Sequence, residues 1–215
     1  MAPSTALWSF ALLVGLLTLT PGLDTALILR TSALGRRRRA WGVVLGIQTG
    51  TLLWGALTSV GVTALLTASH FAYETLRWAG AAYLVWTGLR MLRATFGGGS
   101  APEAAAPDAR PTTDTADTAG GGWRQGTLTN LLNPKMGAFY VALLPQFIPP
   151  GSNHFTMGLL LTSVHIVLGL VWSSVLIACA RALRGWLSRP AARRLLDRVT
   201  GTVVAAFGIR LALGD

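Results

Sequence analysis

The sequence predicts an all-α membrane protein of six transmembrane helices, arranged as two halves of three helices with opposite orientations in the bilayer. Three observations support this prediction: few charged residues, six long apolar stretches, and a central segment without large apolar side chains. Only 12% of the 215 residues are charged, about half the share that is typical of soluble domains. The exterior is therefore expected to face lipid.

Each of the six apolar stretches reaches or approaches the roughly 20 residues that cross a hydrocarbon core of about 30 Å. Alternation with a period of two residues is absent, and backbone groups in lipid have to be satisfied internally, so helices are expected. The predicted spans are about 6–29, 41–68, 73–92, 126–148, 155–180 and 195–213.

Residues 97–122 separate the first three spans from the last three. This segment opens with GGGS, continues with Ala, Pro, Asp and Thr, and ends with GGG, a composition that buries too little apolar surface to order itself. We predict a flexible cytoplasmic linker between a first half at 1–96 and a second half at 123–215. An odd number of spans in each half turns the second half upside down, as in many secondary transporters.

The net charge of +10 is distributed as a topology signal. Arginines cluster after the first and third spans and between the last two, whereas the loops around His70 and 149–154 are nearly free of cations. By the positive-inside rule, the basic loops are expected in the cytoplasm and both termini outside. The basicity therefore does not indicate a nucleic-acid partner.

Asp24 is the first charged residue expected inside the membrane, where an acid usually has a partner or a function. It follows Pro21 and Gly22, which remove a backbone donor and add conformational freedom, so the first span is expected to break there. A break in lipid is tolerated where it faces protein or a water-filled cavity. The alternative is that Asp24 only caps the restarted helix.

Lys135 is the second such residue and the only lysine among 18 basic residues. It follows Pro134, where a second helix break is expected. The alternative is a side chain that extends to the membrane surface. Residues 136–148 supply only about 20 Å of helix, so the span needs the residues before Lys135 as well, which places Lys135 within the membrane.

The acid and the base suit a zwitterionic amino acid, which needs one anionic and one cationic subsite. Broken helices also expose free N–H and C=O groups that bind ionic groups. Asp24 is expected to receive the ammonium group, while Lys135 and nearby N–H groups receive the carboxylate. The predicted substrate-binding residues are Asp24, Lys135, Asn133, Asn130 and Thr20.

Other polar residues are weaker candidates. His165 lies in the middle of the fifth span and is a candidate proton carrier together with Asp24, although a lone membrane histidine more often serves packing. Gln48, Thr49 and Thr51 either line a polar path or bond neighbouring helices. The sequence offers no metal-ligand spacing, phosphate loop or nucleophile motif, so no metal, cofactor or enzyme activity is expected.

Gly42, Gly46 and Gly50 recur at four-residue spacing along the second span. Small residues on one stripe let a second backbone approach closely. Packing within one bundle is the favoured interpretation, and a homo-oligomer face is the alternative.

Several motifs resemble those of the lysine-exporter (LysE/RhtB) family of bacterial amino-acid export proteins. They cover nearly the whole chain apart from 97–122, and one departure is Leu23, where the family usually has a second proline. The matching segments are 20–24 (TPGLD), 77–84 (RWAGAAYL), 130–135 (NLLNPK) followed by Phe139, 145–147 (PQF) and 196–201 (LDRVTG).

The resemblance implies export of a small amino acid or derivative across the bacterial inner membrane, driven by the proton-motive force. A neutral substrate is preferred because no second buried acid is evident to pair with a cationic side chain. Two alternatives stay open: an exporter of another small solute or cation, and a membrane partner protein that transports nothing.

Overall fold

The computed structural model describes residues 3–68, 70–96, 118–149, 151–180, 182 and 189–213. These residues are helical, with short turns between the helices and no strand in the described ranges. The elements are α1 (Pro3–Leu19), α2 (Leu23–Ala33), α3 (Arg37–Ala68), α4 (His70–Phe96), α5 (Ala119–Leu131), α6 (Pro134–Leu143), a 3-10 turn (Leu144–Phe147), α7 (His154–Ala178) and α8 (Pro190–Leu213).

The first predicted span is a broken helix. α1 ends at Leu19, α2 begins at Leu23, and the two axes meet at 52°. Pro21 has no N–H to continue the helical hydrogen bonds. Gly22 is the N-cap of α2 in extended conformation, and no side chain caps that helix.

A second break separates α5 from α6. α5 ends at Leu131, and Asn133 is the N-cap of α6, its side chain accepting a hydrogen bond from the Lys135 amide at 3.1 Å. Pro134 is the first residue of α6, a position where its fixed φ suits a helix and its missing N–H loses no bond. The break therefore lies just before Pro134.

The C-terminal boundary of the predicted linker at 97–122 is wrong. Ala119–Gly122 belong to α5, and the Thr118 side chain caps this helix by accepting from the Gly121 amide at 3.2 Å. At Gly122 this helix lies directly against α3, where a β-carbon would clash with the carbonyl oxygen of Arg39, so a glycine fits the contact. Residues 97–117 lie outside the described residues.

Two described helices are long and apolar enough to cross a membrane: α3 over Arg37–Gly61 and α7 over His154–Ala178. The bent pair α1–α2 is a third if it counts as one span. The figure of six spans stays a prediction.

The glycine stripe of α3 packs against α5 of the same chain. Gly42, Gly46 and Gly50 are buried, and β-carbons there would clash with the backbone of Ala119, the backbone of Trp123 and the side chain of Asn130, respectively. The packing interpretation of the stripe is therefore confirmed. The alternative of a homo-oligomer face at these glycines is wrong because α5 already covers them.

Two apolar clusters lie along the bundle. The aromatic cluster joins α1, α6, the 3-10 turn and α7, and the aliphatic cluster joins α2, α3 and α7. We define them by their main residues: Phe10, Phe139, Tyr140, Leu143, Phe147 and Leu161 for the aromatic cluster, and Ile28, Leu29, Val43, Val44, Ile47 and Leu176 for the aliphatic cluster.

Candidate functional site

A cavity of about 70 Å³ lies where the two helix breaks meet α3 and α7. At roughly 10–15 Å³ for each water-sized group, it holds about five to seven such groups. Its wall includes residues of both apolar clusters, which places it between them along the bundle. The polar lining residues are Thr18, Thr20, Asp24, Thr25, Gln48, Thr51, Asn130, Asn133, Lys135, His165, Trp172 and Ser173.

Asp24 lies in the first turn of α2, where the helix macrodipole favours a negative charge. Its Oδ2 accepts a hydrogen bond from Asn130 Nδ2 at 3.0 Å. Its Oδ1 is buried and has no partner among the described residues. The N-cap of α2 is Gly22, so the alternative that Asp24 only caps the helix is wrong.

Lys135 reaches from the first turn of α6 to the end of α1. Its Nζ donates to the Leu17 carbonyl oxygen at 3.1 Å, one of the carbonyls that a helix end leaves without an intrahelical partner. The side chain is directed across the two breaks, which differs from an extension to the membrane surface.

Asn130, Asn133 and Thr20 connect these charges to the bundle. Asn130 is fully buried and joins α5 to Asp24, while Asn133 caps α6. The Thr20 hydroxyl hydrogen-bonds with that of Thr200 in α8. The structure therefore brings all five predicted substrate-binding residues to one cavity.

Several polar atoms of this cavity wall are buried without a hydrogen-bond partner in the described part of the chain. They are Asp24 Oδ1, Asn130 Oδ1, Thr18 Oγ1 and Trp172 Nε1. Buried polar atoms in native proteins are nearly always paired with protein or water. A wall with three acceptor oxygens and one indole donor therefore suits a small molecule that carries both donors and acceptors.

His165 also lines the cavity and forms a pair with Tyr140. The Tyr140 hydroxyl lies 2.9 Å from His165 Nδ1, and the two rings stack with centroids 5.8 Å apart. Among the weaker candidates, Gln48 and Thr51 line the cavity. Thr49 does not: its hydroxyl accepts from Trp123 Nε1 at 3.1 Å, between α3 and α5.

Sequence reasoning missed Thr18, Thr25, Tyr140, Trp172 and Ser173. A signal for two of them was present on α7, where residues at spacings of three and four from His165 share one helical face. Counting from His165, that face contains Gly169, Trp172 and Ser173, all of which line the cavity. Tyr140 offered no such signal because its hydroxyl is found only through its contact with His165.

Two broken helices hold an acid and a base at one internal polar cavity. This arrangement is typical of secondary transporters, which bind small polar molecules at discontinuous helices. The chain belongs to the LysE type translocator family, whose model matches residues 5–215. Translocation across the membrane, rather than enzymatic conversion, is the activity of this family.

Characterised relatives include efflux proteins. The chain is 32% identical over 207 residues to the homoserine/homoserine lactone efflux protein of Salmonella typhimurium, covering 95% of this chain and 96% of that protein. It is 28% identical over 199 residues to the threonine efflux protein of Escherichia coli K12, covering 91% of each chain. It is also 24% identical over 210 residues to the uncharacterized membrane protein YrhP of Bacillus subtilis, covering 97% and 99%. No solved structure matches the chain.

Proposed function

We propose that the protein exports a small neutral amino acid or derivative across the bacterial inner membrane by binding its zwitterionic end between the two helix breaks. The observation that supports this most is the cavity that contains both Asp24 and Lys135. Asp24 is the one acid among the lining residues that the structure describes. A substrate with a cationic side chain would need a second one, so a neutral side chain fits better.

The ammonium subsite is formed by two neighbouring acceptors. Asn130 Nδ2 bonds to one carboxylate oxygen of Asp24, which holds the two side chains together and leaves Asp24 Oδ1 and Asn130 Oδ1 without partners among the described residues. An ammonium group has three donors and no acceptor. It therefore satisfies both oxygens and neutralises the buried acid.

The carboxylate subsite lies at the start of α2. No side chain caps this helix, so its first-turn N–H groups are available to an anion, which the helix macrodipole also favours. Lys135 Nζ is nearby, since a β-carbon at Gly22 would lie 4.0 Å from it. A carboxylate here receives hydrogen bonds from both groups.

The relatives support the same substrate class. Those with named activities are efflux proteins for homoserine, homoserine lactone and threonine, small molecules with an amino group and a neutral polar side chain. A cation exporter is less favoured because Lys135 lines the cavity.

The proposal includes six spans in two inverted halves, with the basic loops in the cytoplasm and both termini outside. Helix packing supports it. With α1–α2, α3 and α4 matched to α5–α6, α7 and α8, the contacts of α3 with α5 and α6 correspond to those of α7 with α1 and α2. α4 packs on α6 and α8 packs on α1, so the last span of each half contacts the broken span of the other half, although through different parts of it. An inverted repeat produces such paired contacts and permits alternating access to a central site.

Coupling to protons belongs to the same proposal. Asp24 and His165 are the candidate carriers because both line the cavity. A homo-oligomer would need a surface other than Gly42, Gly46 and Gly50, which α5 covers.

The test uses bacteria that lack their own amino-acid exporters and are fed dipeptides containing threonine. The protein is expected to lower the intracellular accumulation of threonine, and the Asp24→Asn variant is expected to lose this effect. Glu74→Gln is the matched control, since it removes an acid outside the cavity wall. Equal accumulation with and without the protein, across a panel of dipeptides, would refute export and leave the non-transporting partner protein.

A further inference from the structure

We propose that Trp172 recognises an oxygen atom in the side chain of the substrate and so makes the site selective for hydroxyl- or carbonyl-bearing side chains over apolar ones of equal size. This inference rests on the proposed function, because it concerns the same cavity. It gives a role to the part of the cavity that the zwitterionic end of the substrate does not fill.

Trp172 lies on α7, packs against the aliphatic cluster and lines the same cavity as the two helix breaks. The proposed ammonium and carboxylate subsites use the breaks, so the side chain of a bound amino acid has the rest of this cavity wall, including Trp172, as its surroundings.

The indole Nε1–H is a donor and cannot accept, and a buried tryptophan N–H usually has an acceptor. Trp172 Nε1 is buried without one in the described part of the chain. A hydroxyl oxygen or a lactone carbonyl accepts this bond, whereas a methyl group of similar size leaves the donor unpaired.

Ile28, Ile47 and Leu176 line the cavity together with the polar residues Gln48, Thr51 and Ser173. The indole N–H of Trp172 is a buried donor in this wall without a partner in the described part of the chain. A net hydrogen bond contributes about 0.5–1.5 kcal/mol, which converts to roughly a two- to tenfold preference for the hydroxylated member of an isosteric pair.

The experiment compares L-threonine with L-valine, which replaces the hydroxyl by a methyl group. Initial rates of uptake are measured in inside-out membrane vesicles, where export appears as accumulation. Trp172→Phe keeps an aromatic ring but removes the N–H. Trp54→Phe is the matched control because Trp54 Nε1 is also buried without a described partner but Trp54 does not line the cavity.

The wild-type protein is expected to favour threonine over valine several-fold, and Trp172→Phe is expected to bring this ratio close to one while Trp54→Phe keeps it. The ratio does not depend on the amount of folded protein. An unchanged ratio in Trp172→Phe, or no wild-type preference, overturns the inference but leaves export intact. If wild-type vesicles accumulate neither amino acid, the proposed function fails as well. If Trp172→Phe does not reach the membrane, the same ratio in Trp172→Leu, which also removes the N–H, decides.

Discussion

The two helix breaks look alike in sequence but are completed differently. At the second break the chain satisfies itself: Asn133 caps α6 by accepting from the Lys135 amide. At the first break Gly22 is the N-cap, and no side chain caps α2. A helix start without a cap leaves donors for water or a ligand. This difference supports the proposal that the first break receives the substrate while the second break shapes the site.

The charged residues at the two breaks also differ, because the helix macrodipole stabilises one of them and disfavours the other. Asp24 lies in the first turn of α2, where the helix macrodipole stabilises an anion. Lys135 also lies in a first turn, that of α6, where the macrodipole disfavours a cation. Its Nζ instead binds the Leu17 carbonyl at the end of α1, the favourable end for a cation. The positive charge of Lys135, a residue of the second break, is therefore located at the first break.

Among the variants that compare the two breaks, the largest effect is expected from removing the charge of Lys135. Lys135→Met is expected to lower export roughly ten- to hundredfold, since a hydrogen bond from a charged group contributes about 1.5–3 kcal/mol. Uptake into inside-out vesicles, normalised to protein in the membrane, measures it. Arg124→Met is the control, because Arg124 is an exposed cation of α5 outside the cavity wall. Full export by Lys135→Met would show that the second break contributes no charge to the site.

The next largest effect is expected from disturbing the hydrogen bond between Asn130 and Asp24, which joins the two breaks. In Gly50→Ala the new β-carbon would lie 2.6 Å from Asn130 Oδ1 and 2.9 Å from Asn130 Cβ, so Asn130 has to move and its bond to Asp24 weakens. Export is expected to fall several-fold. Gly61→Ala is the matched control on the same helix, because a β-carbon there meets nothing within 4 Å. Equal export by both variants would mean that the position of Asn130 is unimportant.

The chemistry of the breaks was predictable from sequence, whereas their detailed contacts were not. Pro21 and Pro134 indicate interruptions because proline lacks an N–H, and an acid and a base beside them indicate a polar site. The sequence does not show that Lys135 binds Leu17, 118 residues away along the chain. Such a bond depends on how α1 and α6 pack, which no local pattern encodes.

Composition also gave a wrong C-terminal end for the predicted linker at residue 122, again because helix packing is not visible in the local sequence. Gly120, Gly121 and Gly122 suggest a flexible segment because glycine disfavours helix. They belong to α5, which lies so close to α3 that Gly122 has no room for a side chain. Tertiary packing overrode local propensity, and the same closeness positions Asn130.

A smaller effect is expected from removing the cap of the second break. Asn133→Ala is expected to lower stability by about 1 kcal/mol, the usual contribution of an N-cap side chain. Thermal denaturation of the protein in detergent, followed by near-ultraviolet circular dichroism, measures the change. Asn133→Ser keeps an acceptor and is expected to retain most of the stability. If both variants are as stable as the wild type, the hydrogen bond at Asn133 is not a stabilising cap.

The smallest expected effect is a gain in stability, from adding a cap at the first break. Gly22 has an extended conformation (φ −152°, ψ −168°) that suits a capping residue. Gly22→Ser therefore supplies the missing cap and is expected to raise stability by a few tenths of a kcal/mol, the usual difference between serine and glycine at this position. The serine oxygen then competes with the carboxylate of the substrate for the same N–H groups. Half-saturation for transport is expected to rise two- to threefold, although the protein becomes no less stable. A variant that gains stability without any loss of apparent affinity would separate the start of α2 from substrate binding and leave Lys135 as the carboxylate's partner.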